Sequence, residues 1–191
     1  MRLKSILLAL TLPVSIGACS QQESDTAATE LNNLATANGE VPGNEGMAVT
    51  SSSAQEFANK AAASDRFEIE TSKLAANSAS SAAVKDFAAM MVKAHTDSTG
   101  KLKATLASDP SELVADDTLS VEQQAELNSL KDKKGAEFDT AYAAQQVSGH
   151  EKTLAELKNY AATGDNAGLK ALAQELIPTV TEHLNKAKAL K

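Results

Sequence analysis

The chain has 191 residues, with 25 Asp and Glu against 18 Lys and Arg, a formal charge of −7, and only 3% aromatic residues. No basic stripe is available to neutralise phosphates, so no nucleic acid partner is expected. A single cysteine, Cys19, leaves no intramolecular disulfide and no paired-cysteine metal site, so the fold must hold by packing alone.

Residues 1–18 read as a lipoprotein signal peptide. Arg2 and Lys4 precede the apolar run Ile6 to Val14, and Ile16-Gly17-Ala18 leads into Cys19. The pattern resembles a bacterial lipobox, in which the thiol takes a diacylglycerol thioether, the signal is cut before the cysteine and the new amino terminus is acylated. The plainer alternative is an ordinary cleaved signal with a cysteine nearby by accident. A transmembrane helix is disfavoured, because the run is well short of the roughly 20 residues that cross a bilayer. Several acyl chains on one residue, at about 0.8 kcal/mol per buried methylene, give stable anchoring. Ser20 stands where an aspartate would mark inner-membrane retention, which favours the periplasmic face of the outer membrane.

Loss of Arg2 and Lys4 with the signal takes the charge from −7 to −9. Residues 19–52 then carry five acids and no Lys or Arg, amid Ser, Thr, Asn, Gln and Gly. Such a segment buries too little apolar surface to offset the entropy of ordering, and reads as an acidic disordered tether. Its random-coil reach of about 30 Å makes periplasmic proteins accessible, besides the membrane contact through the lipid anchor.

Residues 53–191 suffice for one domain with one core. Abundant Ala, Leu, Lys and Glu favour helix, strand-type runs are missing, and Gly and Pro fall between periodic segments, so the fold class is all-α. A first helix starts at Ser53, where Ser53 and Glu56 have capping-box spacing, and carries Phe57, Ala61, Phe67, Ile69 and Leu74 to about Ala79. A second runs from about Ala82 to Ala107, with Val84, Ala88, Met91, His95, Ser98 and Leu102 inward and Phe87 flanking. After Asp109-Pro110, Ser120 and Gln123 form a second capping-box pattern.

A third and longest helix is expected over Val121 to Ala162, weakened at Gly135 and Gly149. It places Leu127, Leu130, Phe138, Tyr142, Val147, His150, Leu154, Leu157 and Ala161 inward. Thr163-Gly164-Asp165-Asn166 caps a fourth helix with Leu169, Leu172, Leu176, Val180, His183, Ala187 and Leu190 inward and a kink at Pro178. Joined by two short connections and one of moderate length, these segments describe an antiparallel four-helix bundle.

All three histidines, His95, His150 and His183, fall on inward stripes of different helices, accompanied by Glu68, Glu70 and Asp139. Carboxylates and imidazoles projecting into a bundle core are how ferritin-like proteins hold paired iron or manganese, and zinc is a further candidate. The Glu-x-x-His spacing of such sites is missing, since Val92 and Val180 stand three residues before His95 and His183. Asp139 and His150 lie about 16 Å apart along the helix axis and cannot share an ion. The structural alternative is that each imidazole is a core polar group bonded to a carboxylate or hydroxyl across the bundle. Met90 and Met91 read as core filler. No nucleophile constellation, phosphate loop or Gly-x-Ser-x-Gly elbow occurs, which points away from an enzyme and leaves no catalytic residue to name.

The succession Phe57, Ala61-Ala62-Ala63-Ser64, Phe67-Glu68-Ile69-Glu70, Lys73-Leu74-Ala75, Val84-Lys85-Asp86-Phe87-Ala88, Met90-Met91-Val92 and His95 continues with Glu137-Phe138-Asp139, Ala141-Tyr142, Gln146-Val147, His150, Leu176-Ile177-Pro178 and His183-Leu184. In order and spacing it resembles the domain of unknown function 4142 family, a group of bacterial predicted outer-membrane proteins. Ala94 departs from that family's frequent acid beside the histidine. The resemblance implies a ferritin-like helical bundle in the bacterial envelope with no agreed activity. The leading expectation is thus a lipid-anchored, non-enzymatic interaction or stress-related protein, and the alternative is a ferritin-like transition-metal-binding or storage protein.

Overall fold

A computed structural model describes residues 53–190, and within them the only regular structure is helix, with no strand. The signal peptide, Cys19 and the tether lie outside the described residues. Five helices follow in order: α1 (Ser53–Ser78), α2 (Ala82–Ala107), α3 (Val121–Lys131), α4 (Gly135–Thr163) and α5 (Ala167–Ala189). No helix among the described residues is long and apolar enough to cross a membrane.

Local chemistry sets the helix ends. The Ser81 hydroxyl accepts from the Val84 amide at the start of α2, and Asn166 does the same for Leu169 at α5. Ser120 and Gln123 complete the capping box expected for α3. The continuous helix expected over Val121–Ala162 is corrected to two, so the domain has five helices rather than four. Gly135 adopts φ +61°, a left-handed conformation that glycine tolerates and a continuing helix does not, and the Asp132-Lys133-Lys134 turn before it breaks the rod. At Pro178 α5 continues unbroken; the proline and Gln174, whose carbonyl loses its donor, both face solvent, where water can satisfy that carbonyl.

Two apolar clusters fill the interior. One gathers Ala58, Ala62, Leu102, Leu157, Leu172 and Val180, and the other Ala75, Val84, Met91, Phe138, Tyr142 and Ala187. From first residue to last, α1 and α5 pass from the former to the latter, whereas α2 and α4 pass the opposite way. The hairpins α1/α2 and α4/α5 are therefore antiparallel, but α2 and α4 run parallel, which corrects the expected all-antiparallel order of successive long helices. The chain returns between them over residues 108–134, along the outside of α1. Gln55 donates to the Val114 carbonyl at 2.6 Å, Asn59 accepts from the Asp116 amide at 3.0 Å, and Arg66 reaches Asp117 at 3.3 Å.

Candidate metal centre

Between the two apolar clusters lies a polar layer. Each long helix contributes to it: Asp65 and Glu68 from α1, His95 from α2, Gln146 and His150 from α4, and His183 from α5, every one of them buried. The three imidazoles form a triangle, with ring centroids 5.9 Å apart for His95–His150 and His95–His183 and 5.6 Å for His150–His183. One nitrogen from each ring lies within 4.8 Å of the other two. A point equidistant from three atoms at that outer limit is about 2.8 Å from each, against the roughly 2.0–2.1 Å of a zinc–imidazole bond, so a contraction of under about 1 Å per ring closes the site.

The partners of two ring nitrogens fix which atom of each of those rings stays free to bind. His95 Nδ1 lies 2.8 Å from Asp65 Oδ1, and His150 Nδ1 lies 2.8 Å from the Gln146 carbonyl. Both oxygens only accept, so each Nδ1 carries the hydrogen, and each neutral ring keeps a lone pair on Nε2. Those two Nε2 atoms and Nδ1 of His183 are buried without any hydrogen-bond partner. Metal-ligating histidines usually have such a carboxylate or carbonyl behind the ring, so the arrangement is compatible with a metal ligand.

Electrostatics reinforce the grouping. Asp65 and Glu68 are 5% and 3% exposed, and among the described residues neither pairs with a Lys or Arg. Asp65 is held through Oδ1 by His95 and through Oδ2 by Thr99 at 3.1 Å, while Glu68 Oε2 accepts from Gln146 Nε2 at 2.5 Å. Two buried carboxylates with no cationic side chain call for compensating positive charge. Burial pushes the His183 imidazole down to about 4, and the neighbouring His95 and His150 push the same way. His150 is also lowered, chiefly by burial, against the opposing pull of Glu68 and its bond to Gln146. At His95 burial is the largest single influence and lowers the value, but the Asp65 hydrogen bond and the charges of Glu68 and Asp65 together raise it.

Of the acids singled out in the sequence, only Glu68 joins this layer. Glu70 stands at the surface, paired with Arg66 at 2.8 Å. Asp139 sits away from this layer, at the α1/α2 turn, where it accepts from the Ser80 and Ser81 amides and ties α4 to the start of α2. Asp65, Gln146 and Thr99 were missed. Asp65 could have been found three residues before Glu68, on the stripe Ala58, Ala62, Asp65, Ser72 and Ala75; small alanines hid that stripe behind the larger Phe57, Phe67 and Ile69.

No curated protein and no solved structure matches the chain. A family model, Domain of unknown function (DUF4142), matches residues 39–190. The chain belongs to this DUF4142 family.

Proposed function

We propose that the domain binds one transition-metal ion through His95, His150 and His183, with zinc the best match to the donors. The observation that carries this reading is that three buried imidazoles from three helices each bring a nitrogen within 4.8 Å of the other two, and that each ring has one buried nitrogen without a partner. Three neutral imidazoles suit zinc, copper, iron or nickel, whereas manganese prefers oxygen donors. A divalent ion there would also balance the charges of Asp65 and Glu68. A paired-iron centre has less support, since Glu70 and Asp139 stand away from the cluster. The single long crossover between α2 and α4 is a feature shared with ferritin-like folds, which favours that architecture on connectivity. This ranks metal binding ahead of the interaction or stress-related role that the sequence pattern favours.

The lipobox-like pattern at Cys19 supports a lipid-anchored placement on the periplasmic face of the outer membrane, where a metal-binding domain on a tether would meet periplasmic partners. The test of the central reading is elemental analysis of the protein purified without a metal-binding tag and exposed in turn to zinc, copper, iron and manganese. One ion per chain, lost in His183→Asn, is expected; no ion retained after all four exposures would overturn the assignment.

A further inference from the structure

A cleft of about 210 Å³ reaches the histidine cluster from one side. His95 and His183 form part of its wall; His150 does not. Its remaining surface is mainly apolar, from Phe57, Ala61, Ala94, Leu157, Leu176 and Val180. Charges at the cleft come in both signs, Lys60 and Lys101 against Asp97 and Glu156, and Lys101 is already paired with Glu175 at 2.6 Å. Of the carboxylates that line this cleft, Asp65 is the one bonded to a ring, and its two oxygens are engaged by His95 and Thr99. Glu68 lines a separate polar cavity with Gly149 and Lys152.

Resting on the metal reading above, we propose that the fourth coordination position opens into this cleft. Its occupant is a small neutral molecule that combines one metal-binding nitrogen or oxygen with an apolar body. Three protein donors with an open position are the arrangement of metal sites that take exogenous ligands. Neutrality follows from charge: a divalent ion offset by the buried Asp65 and Glu68 leaves nothing to compensate an added anion. The apolar walls supply the rest of the binding, and each methylene they bury strengthens it about three- to fourfold.

The experiment uses the full chain loaded with Co²⁺, whose visible absorption reports both metal binding and changes in coordination. Titration with imidazole, 1-methylimidazole and 1-butylimidazole at about pH 8 should perturb the cobalt bands, with affinity rising along the series and acetate much weaker. Leu176→Trp, which fills the cleft, should keep one cobalt per chain and lose at least tenfold affinity for 1-butylimidazole. Should that variant misfold, Ala94→Leu provides the same comparison with a smaller intrusion. Cobalt bands that no probe perturbs would show a protein group in the fourth position and overturn the inference. An equal response to acetate would overturn the charge argument. The absence of cobalt bands altogether would remove the underlying metal reading and this inference with it.

Discussion

Replacing one of the three histidines should stabilise the metal-free domain, and replacing another should destabilise it. His183 presents a buried Nδ1 with no partner, beside two other rings that repel any proton it takes. Leaving such a group unsatisfied costs about 1–3 kcal/mol, which an apolar residue of similar volume does not incur. His183→Leu should therefore recover that amount. With an unfolding entropy of about 2.1 cal/mol/K per residue, a domain of about 140 residues gains roughly 3 °C in Tm per kcal/mol, or about 3–10 °C in all. His95→Leu does the opposite, because it strips the ring from Asp65 and leaves a buried carboxylate with only Thr99. Breaking a buried pair in this way costs about 3 kcal/mol or more, a fall of about 10 °C. Thermal unfolding followed by circular dichroism at about pH 7.5, after chelation and removal of the chelator, measures both. A His183→Leu protein that melts below the parent would mean that Nδ1 is satisfied, and the reasoning from unpartnered nitrogens would fail.

Acid should weaken the metal-free domain through two of its three histidines. His150 and His183 take up protons less readily folded than unfolded, so their contribution is present above the ordinary value of 6.5 and lost as pH falls through the folded value, about 4 for His183. His95, raised by Asp65 and Glu68 against burial, acts in the other sense, with stability present below 6.5 and lost as pH rises through its folded value. In a His95→Asn background only the two lowered rings remain, so urea midpoints there should fall between about pH 7 and about pH 5; a level midpoint would contradict this. Gly135→Ala meets open space but forces an L-residue to φ +61°, a cost of about 1–2 kcal/mol readable in the same denaturation. Asp139→Ala strands the Ser80 and Ser81 amides. It should lose about 2–3 kcal/mol with metal content unchanged, whereas loss of metal would return Asp139 to the site. Cys19→Ser should release the protein from the membrane fraction, and retention there would refute the lipid anchor.

The helices were legible because their signals are local. The capping serine Ser120 and the stripe Val84, Ala88, Met91, His95, Ser98 and Leu102 read directly from spacing, and every residue of that stripe except the half-buried Ser98 is buried. The break at Asp132–Gly135 was only half legible, since a glycine that bends a helix and one that ends it look alike until the chain's direction is known. The three histidines were legible as inward-facing, but their meeting was not. That depends on where four helices bring residues 65, 95, 150 and 183 to one level, a consequence of the crossover and not of any periodicity. Spacing along one helix did exclude Asp139 as a companion of His150, and the structure agrees.

The polar layer is costly for a small alanine-rich bundle. Apolar clusters on both sides show that these helices can pack with Leu, Val, Met and Phe facing one another. At the level between them, the same inward positions carry three imidazoles, two carboxylates and the amide of a fully buried glutamine, whose Oε1 is also unpartnered. A layer kept only to hold the helices together would be better filled by hydrocarbon, since buried ionic groups often add no stability over well-packed apolar residues of similar size. The bonds among Asp65, Glu68, Gln146, His95 and His150 hold two of the rings in place, and each of the three rings keeps one buried nitrogen without a partner. A divalent ion at this level would satisfy the free nitrogens and offset the two buried carboxylates together.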